Sequence, residues 1–201
     1  LGACTWAASP QGRCVVKNML KGRMGKQVGT IRFHTEILKK NQKKAIESLA
    51  PFTSHRNFYL AGGTALTLYL GHRASQDFDW FTLDPIENPI LLAEEIRMAN
   101  IPFTTGHVEK GTLYGMVSSV RVSFFEYHYP LLQPCIVLSE FNCHLASLAD
   151  IACMKLSAVT QRASKKDFID IFALGLNSLT LKDMLTLYQK KYSLKDIGHV
   201  L

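Results

Sequence analysis

No apolar run in this sequence approaches the roughly 18 residues needed to cross a bilayer, so no membrane-spanning helix is expected. Cysteine is scarce and badly spaced. Cys4, Cys14, Cys135, Cys143 and Cys153 are odd in number and form no Cys-x-x-Cys. That pattern argues against a disulfide framework or a zinc site and points to a reducing, cytoplasmic compartment. The seven histidines show no ligand spacing. Internal repeats and low-complexity tracts are lacking, which excludes solenoids. The opening residues Leu1 to Ala8 carry no basic region and no apolar stretch of signal-peptide kind, so no cleaved leader is expected. Acidic residues are nearly absent from the first 44 positions, which hold ten Lys/Arg and only Glu36. The remaining residues hold thirteen Lys/Arg against fifteen acids, so the net charge of +7 belongs to the N-terminal segment. Residues 1–32 are rich in Gly and Lys and lack periodicity. They predict a flexible basic extension: a solvated tail, or an arm that touches nucleic acid.

What is present is enough for one globular domain. The apolar share of 47% over 201 residues supports a proper core. Ile37, Leu38, Ala45, Ile46 and Leu49 predict an amphipathic helix over 35–50. Phe58-Tyr59-Leu60 predicts a short strand, residues 64–71 a helix ending at Gly71, and Asp77 to Thr82 a second strand. Asp84-Pro85 and Asn88-Pro89 are turn chemistry before a helix over 90–99. Phe103 to Tyr127 predicts three strands, broken at Glu109-Lys110-Gly111 and near Ser118-Ser119; Ile136 to Leu138 predicts one more. Four hydroxyl-x-x-acid signatures, at Ser147, Ser164, Thr180 and Ser193, predict four C-terminal helices. The class is α+β: a small mixed sheet with flanking helices, then a helical half.

The chemistry-bearing stretch is Gly62-Gly63-Thr64, followed by Asp77-Phe78-Asp79. Residues i and i+2 of a strand share a face, so Asp77 and Asp79 would project side by side. Paired carboxylates suit Mg²⁺ or Mn²⁺, completed by substrate phosphates. The pair is equally an ordinary couple of surface aspartates when taken alone. A Gly-Gly turn between strand and helix lets the backbone approach a phosphate, whose charge the helix N-terminus favours. Alone it is a tight turn. Ser75 can offer a hydroxyl to the same phosphates or serve the turn. His72 and Arg73 can orient that loop or cap the preceding helix.

Lys155 and Arg162 lie two helical turns apart and share a face. Lys155 is flanked by Met154 and Leu156, so its ammonium is expected to reach out to a cleft or to solvent. Lys166 and Asp170 have the i,i+4 spacing of a surface ion pair. Asp167 suits helix capping, and Asp170 can steer Lys155 or Arg162. A third carboxylate on a later strand could only be Glu126, the one acid in Arg121-Val122-Ser123-Phe124-Phe125-Glu126.

Phe58-Tyr59-Leu60-Ala61-Gly62-Gly63-Thr64-Ala65-Leu66, then Leu70-Gly71-His72-Arg73-x-Ser75-x-Asp77-x-Asp79-x-Phe81, resembles the AbiEii/AbiGii toxin family of minimal nucleotidyltransferases. A second block agrees: Asp150-Ile151, Lys155-Leu156-x-Ala158, Arg162, and Lys166-Asp167-Phe168-x-Asp170-Ile171. The resemblance runs from about His34 onward. It implies a nucleotidyltransferase core over 33–140, a helical half over 141–201, and a further helical stretch beyond Leu201. It implies transfer of NMP from an NTP to an acceptor hydroxyl. The metal would sit on Asp77 and Asp79, and Lys155 and Asp170 would act in catalysis. Gly62, Gly63, Thr64, Arg73, Ser75, Arg162 and Lys166 would bind nucleotide. A toxin of a toxin–antitoxin or phage-defence pair is implied, with a separate antitoxin and tRNA or another RNA as acceptor. Two alternatives stay open: a degenerate module that binds nucleotide or a partner without turnover, and a small-molecule nucleotidyltransferase of antibiotic-modifying kind.

Overall fold

The structure is a computed structural model and describes residues 31–198. The predicted basic extension, up to residue 30, lies outside the described residues, as do Cys4, Cys14 and the last three positions. The described residues form seven strands: β1 (Tyr59–Ala61), β2 (Phe78–Thr82), β3 (Phe103–Glu109), β4 (Thr112–Val117), β5 (Val120–Glu126), β6 (Ile136–Leu138) and β7 (Cys143–Leu145). They form one mixed sheet in the order β3-β4-β5-β2-β1-β7-β6. β2 runs parallel to β5, and β1 parallel to β7. The other neighbours are antiparallel. β7 was not foreseen. It is three residues long and inserts between β1 and β6, so the expected boundary at 140/141 falls between two paired strands.

Among the described residues six α-helices flank the sheet: α1 (Lys40–His55), α2 (Gly62–Leu70), α3 (Pro89–Met98), α4 (Leu148–Arg162), α5 (Lys165–Asn177) and α6 (Leu181–Tyr192). The predicted helix over 35–50 is corrected. A 3-10 turn, Thr35–Ile37, precedes α1, which starts where the Gln42 amide oxygen accepts from the Lys39 N–H (3.0 Å). α1 then passes through Pro51, which forgoes one backbone bond there. Asn88 caps α3, its side chain accepting from the Ile90 and Leu91 N–H groups.

The C-terminal helices number three among the described residues, not four. Ser147 and Thr180 cap α4 and α6 as their signatures predict. Ser193 does the opposite: at φ 53° it closes α6, its N–H reaching the Gln189 carbonyl. The Asp196 carboxylate then accepts locally from Gly198 N–H (3.0 Å) instead of capping a helix. A hydroxyl followed by an acid occurs at either end of a helix; the left-handed backbone at Ser193 decides which.

The strand period places the core. In β2, Phe78, Trp80 and Thr82 are buried, and Asp79 and Phe81 take the opposite face. Phe78 and Trp80 lie with Phe124 among the largest fully buried side chains, each worth about 1.5–3 kcal/mol of burial. α1 covers β5 and β7 and α3 covers β3 and β4. On the helical side α4 packs against α2, α5 and α6. A buried polar knot fastens α6. The Lys191 ammonium donates to Asp150 Oδ1 (2.7 Å) and to the Pro130 carbonyl (2.8 Å), and both charged side chains are fully buried. The sequence makes Lys191 an ordinary lysine of a last helical turn; the fold makes it the buried partner of Asp150, while its neighbour Lys190 is exposed.

Candidate active site

β1 ends where α2 begins, and the two glycines are the joint. Gly62 sits at φ +67°, and a Cβ there would lie 2.6 Å from Asp79 Oδ2. Both conformation and the carboxylate therefore require glycine. A Cβ on Gly63 would lie 2.6 Å from Arg73 Nη2 and 3.1 Å from Ser75 Oγ. The backbone is thus bare of side chains on the side where Arg73 and Ser75 gather. No side chain caps α2, whose helical geometry leaves its first N–H groups without intrahelical partners. Thr64 is buried, and its hydroxyl donates to the Asp77 carbonyl, tying the start of α2 to the start of β2.

Asp79 lies on β2 opposite Ala61 of β1 and Ser123 of β5. Asp77 immediately precedes the strand rather than lying within it. Burial raises the Asp79 pKa above its ordinary value, and the like charge of Asp77 raises it further. Lys155, Arg162 and a hydrogen bond from Ser123 oppose the shift without cancelling it. Asp77 is held by Arg121, which donates through Nε to Oδ1 (2.8 Å) and through Nη2 to Oδ2 (3.1 Å). With Arg121 69% exposed, that pair is a weak surface bridge that a stronger cation can exchange.

A second cluster stands beside the first. Asp170 is fully buried and accepts from Arg73 Nε (2.6 Å) and Nη2 (2.8 Å), lies 2.8 Å from His72 Nε2, and is bridged by Lys155 Nζ (2.7 Å). Asp167, equally buried, accepts from Lys155 Nζ (3.1 Å), Arg162 Nε (2.9 Å) and Nη2 (3.0 Å), and Ser164 Oγ (2.6 Å). Burial alone would raise both carboxyls. These hydrogen bonds and the charges of their partners outweigh it and hold both well below the usual range. The expectation that the Lys155 ammonium reaches a cleft or solvent is corrected: it ends between two buried carboxylates, 6% exposed. Asp170 meets Lys155 and Arg73 rather than Arg162, which turns to Asp167. Lys166 is exposed and forms no ion pair with Asp170.

The fold therefore gathers Gly62, Gly63, Thr64, Arg73, Ser75, Asp77 and Asp79 at one joint. Lys155, Asp170 and Arg162 stand behind Arg73, and Lys166, exposed, forms no ion pair with them. Glu126 lies elsewhere. It pairs with Thr82, three residues along from the Asp79–Ser123 pair and on the opposite face of the sheet. Its carboxylate is occupied by the Ile86 N–H (2.9 Å) and His128 (3.1 Å). Sequence reasoning missed Arg121 and Ser123, although Arg121, Ser123 and Phe125 have the period of two that would put them on one strand face.

Among the described residues no three His, Cys, Asp or Glu side chains group to hold a metal ion. Two hard carboxylates nonetheless suit Mg²⁺ or Mn²⁺, because phosphate oxygens and water complete such sites. Burial and the like charge of Asp77 both weigh on Asp79, and a cation would offset them.

A glycine joint facing paired aspartates across a mixed sheet defines a nucleotidyltransferase fold, and known structures agree. Antibiotic-resistance factor ANT(2'')-Ia in solution matches with a TM-score of 0.58 at 15% identity, over 78% of this chain and 94% of that one. MenT4, a nucleotidyltransferase toxin of Mycobacterium tuberculosis H37Rv, matches at 0.53 and 19% identity, over 72% of this chain and 61% of that one. These likenesses show the fold. In sequence, an uncharacterized protein of Aquifex aeolicus (strain VF5) is 38% identical over 158 residues, 77% of this chain and 76% of its own. Residues 44–130 match the model of the nucleotidyl transferase AbiEii toxin of type IV toxin–antitoxin systems. The chain belongs to that family. It is by family a nucleotidyltransferase, and that family is described as the toxin of type IV toxin–antitoxin systems. No described helix is long and apolar enough to cross a membrane.

Proposed function

We propose that this protein transfers a nucleoside monophosphate from an NTP to an RNA hydroxyl, tRNA ends included, with a divalent cation held by Asp77 and Asp79. The observation that carries the reading is the bare Gly62-Gly63 backbone, walled by Asp79 on one side and by Arg73 and Ser75 on the other. The donors a triphosphate needs converge here: backbone N–H groups at the start of α2, one guanidinium and one hydroxyl.

Each residue has a role. Arg73 and Ser75 hold the β- and γ-phosphates over Gly63. Asp170 aims the Arg73 guanidinium by a two-point bond, and Lys155 fixes Asp170, so both are positioning groups. Arg162 anchors Asp167 and adds positive field toward Asp79. Thr64 holds Asp77 in register with α2. Bound Mg²⁺ or Mn²⁺ supplies charge neutralisation at the phosphates. In the reaction the acceptor oxygen bonds to the α-phosphorus and the bond from that phosphorus to the bridging oxygen breaks. Pyrophosphate leaves with the electron pair, and the hydroxyl proton is released. The protein's part is positioning and electrostatics.

Incubation with each labelled NTP, Mg²⁺ and total bacterial RNA tests the reading. Label entering RNA is the expected result, and its loss in Asp77→Asn and Asp79→Asn ties it to this site. Nucleotide binding without incorporation would instead identify a binding module.

A further inference from the structure

The face of the sheet that carries Asp79 continues across β5 and β4. Ser123 pairs with Asp79 and Tyr114 with Ser123, so their side chains share that face. A row of rings follows. Phe81 stacks on Phe125 (5.0 Å between centroids, 25°), Phe125 meets Tyr114 edge-on (5.7 Å, 85°), and Tyr114 stacks on His107 (6.0 Å, 25°). Phe81 and Phe125 are two residues along their strands from Asp79 and Ser123, about 7 Å away. Arg121 and His107 are exposed along the same face.

In-line transfer gives this face a direction. The attacking and leaving oxygens lie on opposite sides of the α-phosphorus. Resting on the reading above, the leaving pyrophosphate is over Gly63, on the β1–α2 side of Asp79. The acceptor must then arrive from the β5–β4 side, across the ring row. We infer that this face, Tyr114 and Phe125 with Arg121, is the acceptor platform and takes the unpaired 3′-terminal nucleotide of a single-stranded RNA end. The base stacks on Tyr114 and Phe125. Arg121 contacts the strand's phosphate once a cation has taken its place at Asp77. Rings interleaved with a guanidinium are the surface that binds single-stranded ends. Beyond the aspartate pair assigned to the cation, a polycationic small molecule would meet Arg121 and, at the far end of this face, Glu109, already paired with His107 (3.0 Å).

The test uses the full chain in Mg²⁺ and two probes. A 5′-fluorescein single-stranded RNA 12-mer, or the same strand in a blunt duplex, is titrated by anisotropy; trinitrophenyl-ATP reports the nucleotide site. Tyr114→Ala and Phe125→Leu, with thermal unfolding as a check on folding, should weaken single-strand binding by about tenfold to a hundredfold. Trinitrophenyl-ATP affinity should stay within about twofold. Arg121→Gln should flatten the salt dependence of RNA binding. A 12-mer ending in 4-thiouridine should crosslink within residues 112–126. Unchanged RNA affinity in a folded Tyr114→Ala, duplex bound as tightly as single strand, or crosslinking confined to α4 and α5 would each overturn the platform. Weakened trinitrophenyl-ATP with RNA unaffected would assign the rings to the incoming base and overturn it too. Failure of wild-type protein to bind trinitrophenyl-ATP would count against the nucleotide site alone, because the RNA titration is read without it.

Discussion

Two aspartate pairs stand side by side in this molecule and are treated in opposite ways. Asp167 and Asp170, on α5, are wholly buried yet held as strong acids, because Lys155, Arg73, Arg162, His72 and Ser164 converge on them. Asp79, half-buried beside Asp77, is pushed the other way, since burial and a like charge outweigh its distant cations. The first pair carries its countercharge inside the fold. The second leaves its countercharge to be supplied, partly by the exposed Arg121 and, on the proposed reading, by a metal with an NTP. A fold that neutralised both pairs would have no reason to bind either.

The sharpest way to break this contrast is Lys155→Met. It leaves two carboxylates facing each other in the interior, and losing one partner of a buried pair costs about 3–5 kcal/mol. Urea unfolding should show that loss; unchanged stability would mean the cluster is not compensated by Lys155. Asp79→Asn should behave oppositely. Transfer should fall by about 10²-fold or more, a magnitude seen when one preorganised electrostatic group is removed. Stability without metal should hold or rise, because an unfavourable charge is gone. A destabilised Asp79→Asn would show that the carboxylate is already satisfied.

The pH dependence should separate the pairs by sign. Asp167 and Asp170 have folded pKa values below the ordinary 3.8, so their contribution is present above that value and lost as pH falls through the folded values. Asp79 is raised above 3.8, so its ionisation costs stability as pH rises through its folded value. Acid unfolding followed by circular dichroism should therefore be less steep in Asp170→Asn than in wild type. Divalent metal gives a smaller effect. Mg²⁺ at ten times its dissociation constant should stabilise wild type by about 1.4 kcal/mol. Calorimetry should find that gain absent in Asp77→Asn; a retained gain would move the metal elsewhere. The smallest effect belongs to Lys166→Ala. Its exposed side chain should change stability by less than about 0.5 kcal/mol, and a large loss of NTP affinity would restore it to the site.

Much of the site was legible because its signals are local. Gly62-Gly63, Asp77-x-Asp79 and the period of two through β2 and β5 are written within a few residues, as are the caps at Ser147 and Thr180. The errors have equally physical causes. Ser193-x-x-Asp196 repeats the letters of an N-cap, and only the positive φ at Ser193 shows it to be a helix end. β7, Cys143-His144-Leu145, carries no β-branched residue to mark it, unlike the equally short Ile136-Val137-Leu138 of β6. Lys155 between Met154 and Leu156 predicts a side chain escaping its own helix, because nothing nearby shows that α5 brings two carboxylates over it.

The sequence by itself determined the α+β class, the glycine joint, the aspartate pair and the family, since each depends on residues near one another along the chain. Only the tertiary structure decided which charges meet. Arg121 reaches Asp77 across 44 positions, Arg73 reaches Asp170 across 97, and Ser123 rather than an acid faces Asp79 because β2 and β5 pair in one particular register. The β2–β5 register is set by burying Phe78, Trp80 and Phe124 on the other face of the same strands. A strand that satisfies its core has no freedom left to choose what its opposite face presents.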